Sequence, residues 1–141
     1  MAEIEAGGNA AVTYAIDTDR RIVYLRVRST PTLEDAERVL VAAFSDERYV
    51  PGFACLVDRT ATEPPTTQYV RGLTTIFRRH RDLLTPSRVA VVVASQATYG
   101  MFRMLQSLGV DTPAEMEIFR DHEEAEAWIR GGQGPRRGVG E

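Results

Sequence analysis

The chain has 141 residues, of which 43% are hydrophobic and 26% charged, and its formal net charge is -3. This composition is typical of a single soluble globular domain, and the charge argues against a nucleic-acid-binding protein. All 17 basic residues are arginine, so the lysine required by Walker A phosphate loops and Schiff-base enzymes is missing from the sequence. One cysteine and two histidines are too few for an intrachain disulfide or a structural zinc site.

The sequence carries no segment typical of a membrane-spanning or secreted protein. No run approaches the roughly 20 apolar residues that cross a bilayer, and no basic stretch followed by an apolar one begins the chain. We therefore expect a cytoplasmic protein without membrane insertion. The domain is predicted to cover residues 10–130, with flexible tails at 1–9 and 131–141.

The first half of the chain predicts a hairpin, a helix and a buried strand. Apolar and polar residues alternate up to Ile16 and the chain continues after a polar turn, as in two antiparallel strands. Thr32 and Asp35 resemble a capping box, and apolar residues at helical spacing follow them. The short apolar run before Asp58 is typical of a strand buried in a sheet. The predicted elements are strands at 12–16, 22–27 and 53–57 and a helix at 33–44.

The second half predicts three helices and two strands. Two prolines interrupt a Thr-rich loop at 59–67, and a threonine after them is expected to cap the longest helix. Gly72 lies inside the apolar stripe of this helix, which indicates close packing with a neighbour. Ser95 or Thr98 is expected to cap the next helix. The predicted elements are a helix with its stripe at 69–84, a strand at 89–94, a helix at 99–108 ended by Gly109, a strand at 116–119 and a helix after Asp121.

The order of these elements predicts the fold class. The series β-β-α-β-α-β-α-β-α implies an α/β sandwich whose mostly parallel, five-stranded sheet begins with an antiparallel hairpin. The uniformly apolar run 89–94 is expected to be a central strand covered by helices on both faces. The crossovers between parallel strands are expected to be right-handed.

The loops at the carboxyl ends of the parallel strands form the candidate binding site, because open parallel sheets bind ligands there. Hydroxyl groups, a carboxylate and two helix N-termini are expected to converge at this edge, and helix N-termini favour anions. Each serine or threonine also fits the simpler interpretation of a helix cap, and the aspartate fits a turn within its own loop. The candidate ligand- or partner-binding residues are Asp58, Arg59, Thr60, Thr66, Thr67, Ser95, Tyr99 and Arg103.

The histidines and the cysteine do not form a recognisable catalytic set in the sequence. His80 lies on the apolar side of its helix, where a hydrogen-bonded core histidine is expected, and His122 fits a helix start. Cys55 lies in an apolar strand, so its thiol is expected to be inert, with a raised pKa. The motifs of serine hydrolases, zinc proteases and dinucleotide-binding enzymes do not occur. We therefore expect no enzymatic activity, no metal ion and no cofactor.

Three pairs of segments carry turn and packing positions that occur together in a known family. They are YVPGF at 49–53 before LVDR at 56–59, RVAVVV at 88–93 before YGMFRM at 99–104, and IFRD at 118–121 before EAEAWI at 124–129. This pattern resembles the SpoIIAA-like family of bacterial proteins, relatives of the STAS (sulfate transporter and anti-sigma factor antagonist) domain. The resemblance spans residues 12–129 and implies a lipid-carrier-like sandwich with no established enzymatic activity. The Asp-Ser-Ser-Gly type phosphorylation motif of STAS regulators is replaced by Pro-Pro-Thr-Thr at 64–67.

Three functions are compatible with this sequence. The leading hypothesis is a non-enzymatic, STAS-related regulatory or protein-interaction domain that works as a homodimer or with a protein partner. The second is a binder or carrier of a small amphipathic ligand, a fatty acid or lipid, at the strand ends; the aromatic and methionine side chains that would line such a cleft also fit ordinary core packing. The third is a partner switch controlled by phosphorylation of Thr66 or Thr67.

Overall fold

The computed structural model describes residues 4–5, 11–108 and 115–131, which form one sheet and four helices. The strands are β1 (Ile4–Glu5), β2 (Val12–Asp17), β3 (Ile22–Val27), β4 (Ala54–Asp58), β5 (Arg88–Val92) and β6 (Glu115–Phe119). The helices are α1 (Leu33–Ser45), α2 (Thr67–Arg79), α3 (Gln96–Ser107) and α4 (His122–Ile129).

The strands lie in the sheet in the same order as in the chain. Strand β2 pairs antiparallel with both β1 and β3, and β3 to β6 are parallel. This architecture confirms the predicted α/β fold class, with a mostly parallel sheet and an opening antiparallel hairpin. The five predicted strands are joined by β1, in which Ile4 and Glu5 pair with Tyr14 and Thr13. These two residues lie in the segment predicted as a flexible tail; the rest of both predicted tails, apart from Gly131, lies outside the described residues.

The helices cover the two faces of the sheet unequally. Right-handed crossovers between parallel strands that follow one another in order place α1, α2 and α3 on one face, so α4 packs on the other. Trp128 of α4 packs with Phe119, with their ring centroids 5.6 Å apart, and both belong to a cluster with Ala90 and Val92. Val91 belongs to the cluster beneath α2 and α3. Strand β5 is therefore covered on both faces, as its apolar sequence predicted.

The helix starts follow the capping pattern of the sequence. The Thr32 hydroxyl accepts the Asp35 backbone N–H at 3.0 Å, and the Asp121 carboxylate accepts the Glu123 N–H at 2.8 Å. Of the two caps considered for α3, Ser95 is the cap, whereas Thr98 is a buried residue of the first turn. The predicted helix end at Gly109 lies outside the described residues.

The end of α2 corrects the prediction that its helical stripe extends to Leu84. The helix ends at Arg79, and His80 is its C-cap. The chain then turns, because the Leu83 and Leu84 backbone N–H groups both donate to the His80 carbonyl at 2.9 Å. Leu84 is buried all the same, through this turn. A turn therefore buried an apolar residue at a spacing that sequence periodicity could not distinguish from a helix.

Candidate functional site

Asp58, the last residue of β4, organises its own loop. Its Oδ1 accepts a hydrogen bond from the Thr60 backbone N–H at 2.9 Å and another from the Thr60 hydroxyl at 2.7 Å. This is the turn-forming role that the sequence allowed for an aspartate at this position. The Asp58 and Thr60 side chains therefore have a structural explanation.

The hydroxyl residues at the two helix N-termini behave as caps. The Thr66 hydroxyl accepts the Tyr69 backbone N–H at 3.1 Å, and Thr67 is the exposed first residue of α2. The Ser95 hydroxyl accepts the Thr98 backbone N–H at 3.1 Å and donates to the Thr98 hydroxyl at 3.0 Å. These bonds satisfy N–H groups that a helix start would otherwise leave unpaired.

The two candidate residues on α3 have local partners. Tyr99 is half-buried and packs against the cluster beneath α2 and α3. Arg103 donates from Nη1 to the side-chain oxygen of Gln106 at 3.0 Å. The Gln106 amide in turn donates to the Met116 carbonyl, so this pair ties α3 to the edge strand β6.

Asp58 and Arg59 are neighbours in the chain, but the sheet sends their side chains to opposite faces. Asp58 lines a groove of about 240 Å³ on the α4 face, together with Tyr24, Arg26 and His122. Arg59 lines a cavity on the face that α1, α2 and α3 cover. The strand ends therefore carry two separate concave sites and not the one cluster that the sequence predicted.

The backbone of Arg59 is fixed on both sides of the residue. Its N–H donates to the Val92 carbonyl at 2.8 Å, which continues the pairing of β4 with β5 by one residue. Its carbonyl accepts the Thr62 backbone N–H at 3.2 Å and the Thr62 hydroxyl at 2.9 Å. Because residues alternate along a strand, this extension gives Arg59 the same side of the sheet as Cys55 and Val57.

The Arg59 guanidinium is buried without an ionic partner among the described residues. The residue is 5% exposed, and its Nη1 has no hydrogen-bond partner there. Its guanidinium carbon lies 4.9 Å from the centroid of the Phe102 ring, which is a favourable cation–π distance. Burial lowers the pKa of Arg59 from its usual value. A buried charge normally requires a counter-charge, so this side chain is the exceptional feature of the site.

Tyr69 places a second unpaired polar atom beside Arg59. Its hydroxyl is buried and makes no hydrogen bond with a described residue. Burial raises the pKa of Tyr69, and the Arg59 guanidinium partly opposes this shift. The helix start at Thr66 positions this side chain, because Tyr69 lies in the first turn of α2. The Arg59 guanidinium and the Tyr69 hydroxyl thus lie close enough to interact, and neither supplies a negative charge to the other at neutral pH.

An apolar cavity of about 80 Å³ lies between the sheet and the three helices, and Arg59 is the charged residue among those that line it in the described part of the chain. Its floor includes Val57 and Val91, and its roof includes Leu73 and Phe102. A second apolar cavity of about 70 Å³ continues toward the start of β4. The cavity therefore has apolar walls, and the Arg59 side chain is part of its border.

Cys55 and His80 differ in how well the sequence anticipated them. Burial raises the pKa of the Cys55 thiol to about 12, in agreement with the expected inert cysteine. His80, expected in the core, is instead a half-buried C-cap whose Nε2 lies 2.6 Å from Glu37 Oε2 on α1. Arg79 Nη1 contacts the same oxygen at 2.5 Å. These contacts join α1 to α2 and explain the polar residues there.

Two further observations concern metals and membranes. Within residues 4–5, 11–108 and 115–131 no group of three or more histidine, cysteine or acidic side chains is arranged to hold a metal ion. In the same part of the chain, no helix has the length and apolar character needed to cross a bilayer.

Comparison with known proteins identifies the fold but no activity. No protein-family model and no curated protein sequence matches the chain. Among solved structures, the chain resembles the crystal structure of an uncharacterised DUF3478-family protein with a SpoIIAA-like fold from Shewanella loihica PV-4. The two share 18% sequence identity and a TM-score of 0.60, over 92% of this chain and 98% of the other. The chain therefore has a SpoIIAA-like fold, and its function must be argued from its own residues.

Proposed function

We propose that the protein binds a small ligand with an apolar body and an anionic head, in the cavity between the sheet and α1, α2 and α3. Arg59 anchors the head. The observation that carries this proposal is the buried Nη1 of Arg59, which has no partner among the described residues. The proposal develops the hypothesis of an amphipathic ligand and moves its site from the outer rim of the strand ends to the inside of the layer.

The chemistry of the Arg59 guanidinium and the Tyr69 hydroxyl favours an anion as the ligand's head. A guanidinium offers several N–H groups in a planar fork that matches the oxygens of a carboxylate or a phosphate. The Tyr69 hydroxyl supplies another donor close by. An anionic head would neutralise the buried charge and accept hydrogen bonds from both residues. A carboxylate is the smaller of the two heads and therefore suits this enclosed position better.

The cavity volume limits the apolar body to a small group. For comparison, an apolar cavity of about 150 Å³ engineered in another protein binds benzene. The cavities here measure about 80 and 70 Å³, which favours the short-chain end of the fatty acid class over a whole lipid. The walls around Leu73 and Val91 offer only apolar contact to such a chain.

The test compares ligands that differ only in the head group. Nuclear magnetic resonance titration of the labelled protein with hexanoate, hexanol and hexylammonium measures the three dissociation constants. Hexanoate should bind most tightly, and Arg59→Met should weaken it at least tenfold while changing hexanol little, because a hydrogen bond to a charged group is worth about 1.5 to 3 kcal/mol. The exposed Arg71 on α2 supplies the control variant Arg71→Met. Equal hexanoate affinity in the wild type and Arg59→Met would refute the proposal.

The other functional hypotheses stay predictions. These are the regulatory role with a protein partner, the homodimer, the cytoplasmic location and phosphorylation at Thr66 or Thr67. Both threonines are exposed at the start of α2, on a different part of the fold from the cavity floor.

A further inference from the structure

The two apolar cavities share six lining residues, one of them Phe77, and we infer that the Phe77 ring limits the length of the ligand's apolar tail. This inference rests on the proposed function, because it concerns the tail of the ligand whose head Arg59 binds. The first cavity, of about 80 Å³, begins at Arg59, and the second, of about 70 Å³, reaches Cys55 and Leu84. We call them the proximal and the distal lobe.

Strand β4 gives the direction in which the lobes follow one another. Val57 lines both lobes, whereas Arg59 lines only the proximal lobe and Cys55 only the distal lobe. At about 3.3 Å per residue, Arg59 to Val57 spans about 7 Å, and Arg59 to Cys55 spans about 13 Å. A straight tail anchored at Arg59 therefore runs along β4 toward its start and meets the junction after about half of the path.

The helices and the turn after α2 follow the same path from above. Ala36 and Leu73 lie over the proximal lobe, and Phe44 and Leu84 lie over the distal lobe. The residues shared by both lobes define the junction. They are Leu25, Leu40, Val57, Phe77, Val89 and Met116.

Phe77 is the bulkiest side chain at the junction. It extends from α2 and packs against the core clusters on both sides, whereas Leu25, Val57 and Val89 belong to the paired strands of the floor. A strand residue is held by the backbone pairing of the sheet, but a helix side chain is limited only by its neighbours. Removal of the ring therefore joins the two lobes without moving the floor or Arg59.

The experiment is a titration with a homologous series of straight-chain acids: butanoate, hexanoate, octanoate and decanoate. In the wild type, the affinity should rise about fourfold for each buried methylene group as far as hexanoate and then level off. In Phe77→Ala the affinity should continue to rise through decanoate. Decanoate should then bind to this variant at least tenfold more tightly than it binds to the wild type. Phe77→Leu keeps more of the packing and should show a smaller extension.

The control variant is Ile76→Ala, because Ile76 is the adjacent buried residue of α2 and lines neither lobe. It removes core volume from the same helix but should leave the length limit unchanged. The same extension in Ile76→Ala, or an unchanged limit in both Phe77 variants, would overturn the inference. The proposed function survives that result if Arg59→Met still weakens hexanoate binding; if hexanoate affinity does not depend on Arg59, both the function and the inference fail.

Discussion

Arg59→Met should stabilise the ligand-free protein, whereas most substitutions of buried residues destabilise. A buried N–H without a partner costs about 1 to 3 kcal/mol, and replacing even a buried ion pair by apolar side chains of similar size is often neutral or stabilising by about 1 to 4 kcal/mol. The cation–π contact with Phe102 opposes this gain and is worth about 1 to 2 kcal/mol. Methionine keeps an unbranched side chain against the same ring. We expect the free energy of unfolding to rise by about 1 to 2 kcal/mol.

Urea unfolding measures this change, with fluorescence of the single tryptophan, Trp128, as the probe. Trp128 is a buried residue of α4, on the other face of the sheet from Arg59, so its signal reports on global unfolding. The unfolding midpoint should increase by about 0.5 to 1 M, for a slope of about 2 kcal/mol per molar urea. Thermal unfolding should shift upward by about 3 to 6 °C.

A paired arginine provides the control for this prediction. Arg48 bonds the Asp46 carboxylate through Nε at 3.0 Å and Nη2 at 2.8 Å, so Arg48→Met should lower the free energy of unfolding by about 1 kcal/mol. Both substitutions replace arginine by methionine, and they should change the free energy of unfolding in opposite directions. A loss of 2 kcal/mol or more in Arg59→Met would show that the guanidinium supports the fold, and the argument for an anchor would lose its basis.

Three further substitutions are tested by the same stability measurement. The Arg48 guanidinium holds the pKa of Asp46 well below its usual range, so this carboxylate contributes fully above about pH 4 and loses its contribution as the pH falls from there toward the folded-state pKa. Asp46→Asn should cost roughly 1 to 3 kcal/mol at pH 7 and flatten the loss of stability below about pH 4; parallel pH profiles would contradict this. Gly100→Ala, where an added Cβ meets no atom within 4 Å, should gain about 1 kcal/mol. Gly72→Ala should gain less than Gly100→Ala because its Cβ overlaps the Leu33 methyl groups of α1, which must move, and equal gains at the two glycines would refute that packing argument.

The fold was largely predictable because most of its elements carry a local signal. The apolar run of β5 indicated burial on both faces, and the caps at Thr32 and Asp121 form the bonds that their spacing predicted. Strand β1 lacked such a signal, because two residues are too short for a period and its pairing with Tyr14 depends on the rest of the sheet. Gly72 gave a correct hint of close packing, since it lies against Leu33.

The site was predictable only in part. Sequence order placed Asp58 and Arg59 together at the carboxyl end of a parallel strand, which is where they lie. It did not predict that they face opposite sides, because a strand buried on both faces shows no polar and apolar alternation. The one available signal was the alternation of side chains along a strand: Arg59, Val57 and Cys55 are two residues apart and therefore face the same side. Which face those positions take depends on where α4 packs, and that is a tertiary property.

Near the carboxyl ends of the parallel strands, some polar side-chain atoms have hydrogen-bond partners within the fold and others have none. The Asp58 carboxylate bonds Thr60, and the Thr66 and Ser95 hydroxyls cap α2 and α3, so folding alone accounts for these groups. Arg59 Nη1 and the Tyr69 hydroxyl have no such partners among the described residues. Leucine or methionine at position 59 would fill the same space at lower cost to stability. An arginine here is therefore best explained by what it binds, and the apolar cavity that begins at its side chain is where that ligand should be sought.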